Sequence, residues 1–108
     1  MSQTTVEMVS YRLKNDISSE QLAATHAQVN DFLRQQPGFM YRSLSEDDKG
    51  LLFDVVYWQD MTSAKNAGEK FMTDPAGQSL IALTDETSIT MRHMPVLTET
   101  PTECSNTN

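Results

Sequence analysis

Residues 51–64, LLFDVVYWQDMTSA, pass from an apolar stretch directly into the start of a helix. The stretch 51–58 is rich in β-branched and aromatic residues, which favours a β-strand. The helix is predicted to begin near Asp60 or Thr62. The only tryptophan of the chain, Trp58, lies at the junction. Its ring either fills a core or forms the wall of a cavity, and the local pattern allows both interpretations.

Three further strands are predicted from alternating or β-branched patterns, over residues 5–13, 39–45 and 88–97. Between the first two, a helix is predicted to begin at Ser18, where Gln21 completes a capping box. It is predicted to end near Gln36, because the proline that follows disfavours helical geometry. The dipeptide Asp74-Pro75 predicts a short additional helix, with an N-cap followed by proline in the first turn.

The order of these elements, β-α-β-β-α-β, predicts a ferredoxin-like α+β fold with a four-stranded antiparallel sheet. Right-handed crossovers place the helices on one face of that sheet. The other face is predicted to carry Met, Val and Trp side chains, more apolar surface than a soluble monomer usually exposes. We therefore expect a homodimer in which two such faces pack together. The folded domain is expected to span residues 1–97, followed by a disordered polar tail over 98–108.

Composition and charge argue against several kinds of partner and site. The 108 residues carry a net charge of −7, and the eight Lys and Arg residues are scattered, so a nucleic-acid-binding face is not expected. No apolar run approaches the roughly 18 residues of a membrane span. The N-terminus lacks the layout of a secretory signal, so a cytoplasmic protein is expected. No metal site is predicted, because Cys104 is alone and His26 and His93 are far apart in the sequence.

The predicted domain contains the segments QQPGFMYRSL at 35–44, VVYWQDMTSAKNA at 55–67 and DETSITMRHM at 85–94. Together they resemble the antibiotic biosynthesis monooxygenase-like proteins of the dimeric α/β barrel superfamily. The resemblance implies a homodimeric barrel with a pocket, and Trp58 matches a position that commonly forms part of the pocket wall. It also implies a cofactor-independent monooxygenase that oxidises a small apolar aromatic or phenolic substrate, with no metal and no cofactor.

Such a reaction needs a base, a polar anchor for the substrate and a dry pocket. His93 and Asp54 are the predicted bases, since imidazole titrates near neutrality and a carboxylate within an apolar barrel is a stronger base. Trp58, Tyr11 and Arg92 are the predicted substrate-binding residues. Strand alternation puts Arg92 and His93 on opposite faces, and Asp54 on the same face as Trp58.

Each of these assignments has a structural alternative. A lone histidine beside two methionines, such as His93, is typical of a packed or edge residue. Asp54 can instead pair with Arg42 on the neighbouring strand, and Tyr11 also suits packing against a helix. Haem-degrading relatives carry a histidine near the second helix and an asparagine on the first strand, and this chain has neither, so haem degradation is not expected. A non-catalytic small-ligand-binding protein, or a structural dimer whose barrel is filled by its own side chains, are the alternative functions.

Overall fold

The computed structural model describes residues 3–102. In this range the elements are, in chain order, β1 (Thr5–Leu13), α1 (Ser19–Ala23), α2 (His26–Arg34), β2 (Phe39–Glu46), β3 (Leu52–Trp58), α3 (Met61–Thr73), α4 (Pro75–Leu83) and β4 (Thr84–Pro95). The predicted tail, 98–108, has no helix or strand in its described part, and Cys104 lies outside the described residues. No helix of the described range is both long enough and apolar enough to cross a membrane.

The four strands form one sheet in the order β2-β3-β1-β4, and every neighbouring pair is antiparallel. On β3, the even-numbered residues from Leu52 to Trp58 are buried and the odd-numbered ones are half-buried. The buried side faces the helices, because buried residues of all four helices complete the same core. This arrangement confirms the predicted ferredoxin-like α+β fold.

Trp58 lies on the face of the sheet that the helices cover, so the prediction that the open face carries tryptophan is wrong. Its side chain is 1% exposed, and its backbone is in register with Thr5 and Phe39. The Phe39 ring meets the indole edge-on, with ring centres 5.7 Å apart. Because strand residues alternate between faces, the open face instead carries side chains that include those of Val6, Met8, Phe53, Val55 and Tyr57.

The first predicted helix is interrupted after Ala23, so that α1 and α2 are separate helices. The capping box at its start is confirmed. The backbone N–H of Ser18 bonds Gln21 Oε1 at 2.9 Å, and the backbone N–H of Gln21 bonds Ser18 Oγ at 3.2 Å. At the interruption, the buried Thr25 hydroxyl donates to the Leu22 carbonyl at 2.7 Å. A local hydrogen bond of this kind competes with regular helix and was not evident from the pattern.

β4 begins at Thr84, earlier than the predicted residue 88. The prediction missed this start because the polar run TDET at 84–87 has no apolar alternation that would indicate a strand. Thr84 is buried, and its hydroxyl donates to the Leu80 carbonyl at 3.0 Å. Between Asp85 and Thr90 the strand bulges out of register with β1. The bulge lies beside the cavity that is described below.

Helices α3 and α4 approach each other closely at Gly77. A Cβ atom at this position would overlap the carbonyl oxygen of Phe71 in α3. Gly77→Ala is therefore expected to lower the free energy of unfolding by about 1–3 kcal/mol. Gly68 in α3 is the matched control, because a Cβ there meets nothing within 4 Å, and Gly68→Ala is expected to stabilise the helix by up to ~1 kcal/mol. Urea unfolding checks both variants, and equal stabilities would contradict the close approach at Gly77.

Candidate active site

A cavity of about 470 Å³ lies between the helix-covered face of the sheet and the helices. Its wall is mostly apolar and includes the side chains of Val9, Phe32, Val56, Trp58, Phe71 and Leu80. Met72, Ile89 and Met91 also line it and are exposed, so they mark its opening to solvent. The volume is in the range of small-molecule sites. The interior is therefore not filled by the protein's own side chains.

Glu7 brings a carboxylate into this apolar wall from β1. The register of the sheet places it opposite Val56 on one side and His93 on the other. Trp58 Nε1 donates a hydrogen bond to Glu7 Oε1 at 3.0 Å, and His93 Nε2 lies 3.8 Å from the same oxygen. Burial raises the pKa of Glu7 above its ordinary value. The Trp58 hydrogen bond and the nearby His93 oppose this rise in pKa, and the charge of Asp54 adds to it.

A second polar group lies on the same face, where Arg42 of β2 meets Asp54 of β3. Arg42 Nε and Nη2 donate to the two Asp54 oxygens at 2.9 and 2.7 Å, and Arg42 Nη1 donates to Asn30 Oδ1 at 2.9 Å. The Tyr11 hydroxyl donates to Asp54 Oδ2 at 3.3 Å. Burial alone would lower the pKa of Arg42, but the hydrogen bonds and charge of Asp54 outweigh it and raise this pKa. Burial and then the charge of Asp54 raise the pKa of Tyr11, so the phenol stays protonated at neutral pH.

The cavity wall includes three of the predicted site residues, Trp58, Tyr11 and Asp54. The indole of Trp58 therefore belongs both to the core and to the wall. Asp54 is paired with Arg42, which is the arrangement that the sequence offered as the alternative to a free base. Both of its carboxylate oxygens are engaged by the guanidinium.

The other two predicted site residues, His93 and Arg92, are not part of the wall. His93 is on the helix-covered face but meets the cavity through Glu7. Arg92 is in register with Met8 and lies on the open face. A ligand in the cavity is therefore out of reach of Arg92 in the same chain. The functional roles of both residues stay predictions.

The sequence analysis did not predict a role for Glu7 and considered Arg42 only as an ion-pair partner of Asp54. Both residues line the cavity. A signal for Glu7 was present, since it precedes Val9 and Tyr11 at period two and so shares their face. An acidic side chain among the buried residues of a strand is unusual and indicates a special environment. Within the described part of the chain, no three His, Cys, Asp or Glu side chains are grouped so that they could hold a metal ion.

No family model and no curated protein matches the sequence. Several solved structures do match. A mutant of SnoaB, a cofactor-independent oxygenase from Streptomyces nogalater, has a TM-score of 0.75 at 14% identity, over 94% of this chain and 100% of that one. A protein provisionally named antibiotic biosynthesis monooxygenase from Caulobacter crescentus has a TM-score of 0.73 at 9% identity, over 90% of this chain and 92% of that one. A protein of the same provisional name from Nitrosomonas europaea has a TM-score of 0.70 at 13% identity, over 94% of this chain and 97% of that one.

The matches cover nearly the whole of both chains in each case. At identities this low they establish the fold and not the reaction. The resemblance that was predicted from the segments at 35–44, 55–67 and 85–94 is thereby confirmed at the level of the fold. This protein has the fold of the antibiotic biosynthesis monooxygenase-like proteins.

Proposed function

We propose that the protein is a cofactor-independent monooxygenase that oxidises a small apolar aromatic or phenolic substrate in the cavity. The observation that carries the proposal is the cavity itself, which has a volume of about 470 Å³ and a mostly apolar wall with polar groups at two places. The indole of Trp58 gives this wall a flat aromatic surface suited to a ring system. SnoaB, which has the same fold, is described as a cofactor-independent oxygenase, and this supports the class of reaction.

The proposed reaction begins when a base removes a proton from the electron-rich substrate. The resulting phenolate or carbanion passes one electron to dioxygen, and the two radicals combine to form a peroxide at the reacting carbon. The peroxide anion takes up a proton, and loss of water from the hydroperoxide, which breaks its O–O bond and the remaining C–H bond, leaves a quinone carbonyl. In total the substrate loses two hydrogen atoms and gains one oxygen atom, and the second oxygen atom of dioxygen leaves as water.

The second polar group is the proposed anchor for a substrate oxygen. Arg42 lines the cavity and has further N–H groups besides the three that bind Asp54 and Asn30. Asp54 holds the guanidinium in place and also orients the Tyr11 hydroxyl. Donors that are fixed in advance in an apolar site stabilise a developing oxyanion more strongly than donors in water. In this proposal Arg42 takes the anchoring role that the sequence suggested for Arg92.

A non-catalytic binding protein is the alternative function, and one observation favours it. Neither predicted base is free to act on a bound ligand, because both oxygens of Asp54 bind Arg42 and His93 does not line the cavity. Asp54→Asn and His93→Ala test these two assignments. Unchanged turnover in both variants would remove both residues as bases.

A binding screen followed by oxygen uptake tests the proposed function. Trp58, the single tryptophan, lies in the cavity wall, so its fluorescence reports the binding of hydroxylated polycyclic aromatics. We expect some of these compounds to quench the emission and to cause oxygen consumption with formation of a quinone. Quenching without oxygen uptake would favour the binding protein. No quenching across a broad panel would contradict both functions.

We also propose that two copies of the chain pack through their open sheet faces. On this face Tyr41, Tyr57, Val6 and Met94 lie in one cross-strand row. Met8 and Val55 lie in the next row, and Tyr41 is 60% exposed in the single chain. Apolar side chains in neighbouring rows form the kind of patch that soluble monomers rarely leave uncovered.

Val55→Glu is expected to convert the proposed dimer into a monomer, because it places a charge at the centre of the apolar face. Light scattering coupled to gel filtration should give twice the chain mass of 12.2 kDa for the wild type and the single mass for the variant. Gln28→Glu adds the same charge at an exposed position of α2 and should leave the dimer intact. A wild-type mass equal to that of one chain would contradict the dimer.

A further inference from the structure

We propose that Glu7 is the catalytic base of this cavity, accepting the substrate proton on Oε2, with Trp58 and His93 as its positioning residues. The inference rests on the function proposed above and names the residue that the sequence did not single out. In this proposal His93 acts on the reaction through Glu7 and does not contact the substrate.

Among residues 3–102, three carboxylates line the cavity, and Glu7 is the one placed to act as a base. Asp54 has both oxygens bound by Arg42. Glu86 is exposed to solvent in the bulge of β4. Glu7 is held by one oxygen only, since Oε1 accepts from Trp58 Nε1, and within residues 3–102 no hydrogen bond occupies Oε2. The carboxylate is thus fixed in orientation while one oxygen stays available to a ligand.

The surroundings of Glu7 adjust its basicity in the direction that proton abstraction requires. Burial raises the pKa of Glu7, which makes the carboxylate a stronger base than an exposed glutamate. The Trp58 hydrogen bond and the nearby His93 oppose the rise, and so favour the ionised form that must be present before the reaction. The charge of Asp54 on β3 also raises the pKa of Glu7. The residues that α2, α3 and α4 contribute to the wall carry no charge: Val29, Phe32, Leu33, Ala67, Gly68, Phe71, Met72, Leu80 and Ile81.

The proton has a defined course in this arrangement. The O–H or activated C–H bond of the substrate breaks, the electron pair stays on the substrate, and the proton binds Glu7 Oε2. His93 Nε2 lies 3.8 Å from Oε1, and its side chain is 24% exposed. The imidazole therefore contacts both the carboxylate and solvent, and it holds Glu7 in position. The proton on Oε2 passes to the peroxide, and Glu7 is ionised again before the next turnover.

Glu7→Gln is the central test, because glutamine keeps the shape and can still accept the Trp58 N–H through its carbonyl oxygen. With a substrate found in the binding screen, the rate of oxygen uptake is expected to fall at least ~100-fold. The dissociation constant, measured by Trp58 quenching, is expected to change by less than about threefold, since a base acts on the chemical step and not on binding. Glu69→Gln removes a carboxylate from the exposed side of α3 and should leave the rate unchanged.

The pH dependence gives a readout that a merely structural role would not move. Wild-type oxygen uptake should decrease as pH falls through the raised pKa of Glu7, because the protonated acid cannot accept a proton. This acidic limb should be absent from the residual rate of Glu7→Gln. In His93→Gln the limb should move to higher pH, because His93 lowers the pKa of Glu7 and its removal leaves this pKa higher.

A second readout needs no turnover. Because Trp58 donates directly to Glu7, protonation of the carboxylate should change the tryptophan emission. In the wild type without substrate this change should have its midpoint above the ordinary glutamate pKa of 4.5, and Glu7→Gln should abolish the change.

A wild type that turns over while Glu7→Gln retains its rate would overturn the role of Glu7 and leave the proposed oxygenase function intact. A wild type that binds aromatics and titrates as expected but never consumes oxygen would overturn the oxygenase, and with it the catalytic role of Glu7.

Discussion

Replacing Arg42 by methionine is expected to lower the free energy of unfolding by about 3–5 kcal/mol. The side chains of Arg42 and Asp54 are only 7% and 11% exposed, and their charged groups meet at 2.7 Å. Methionine has a similar length but no charge, so the Asp54 carboxylate would be left in an apolar interior without its cation. The Tyr11 hydroxyl supplies one neutral hydrogen bond and does not replace a guanidinium. Urea unfolding followed by circular dichroism measures the loss.

Two controls separate the effect of an unpaired charge from the effect of lost packing. The double variant Arg42→Met/Asp54→Leu removes both charges, so it should recover most of the stability. Arg34→Met breaks an ion pair with Asp31 of similar length, 2.8 Å, in which both side chains are 68% exposed. Solvent screens this second pair, and its loss should change the stability by less than about 1 kcal/mol. Similar losses in Arg42→Met and Arg34→Met would contradict the importance of burial.

Truncation of Trp58 to alanine is expected to cost about 3–5 kcal/mol in the free energy of unfolding. The indole is 1% exposed, packs edge-on against Phe39, and has its N–H bound to Glu7. Alanine removes most of this contact area, enlarges the cavity and leaves Glu7 without a donor. Thermal unfolding followed by circular dichroism measures the effect, since the variant has no tryptophan emission.

Trp58→Phe separates the hydrogen bond of the indole from its packing. Phenylalanine keeps most of the apolar contact but has no N–H group. Because the Trp58 hydrogen bond lowers the pKa of Glu7, its loss raises this pKa further. At a given pH more of Glu7 is then protonated, and the acidic limb of oxygen uptake should move to higher pH. An acidic limb at the wild-type position would show that the indole N–H has no part in keeping the carboxylate ionised.

The elements that the sequence predicted correctly are those with short-range signals. The capping box of Ser18 and Gln21 forms as its spacing indicates. Asp74 caps α4 through its side chain, with Pro75 in the first turn. The two-residue alternation of β3 also correctly predicted that Asp54 lies on the same face as Trp58. Such features involve residues within a few positions of each other, so a single chain segment contains all the information that is needed.

The parts of the site that the sequence did not predict depend on register between distant strands. Glu7 receives its surroundings from β3 on one side and β4 on the other, and its hydrogen-bond partner lies 51 positions away. The alternation of β1 fixes the face of Glu7 but not the residues opposite it. For the same reason, the assembled sheet was needed to show that His93 meets the cavity only through Glu7, and that Arg42 lines the cavity while Arg92 lies on the open face.

Both outer strands of the sheet carry an irregularity, and this limits how the molecule can aggregate. The register of β2 shifts between Phe39 and Tyr41, and β4 bulges after Asp85. Asp85 Oδ1 fixes the second bulge by accepting from the backbone N–H and the hydroxyl of Thr87, at 3.0 and 2.7 Å. A regular outer strand offers a row of free N–H and C=O groups on which strands of other molecules can add without limit, and bulges interrupt that row. Growth into fibrils by strand addition is thus discouraged at both ends of the sheet, while the open face stays available for the proposed packing of two copies.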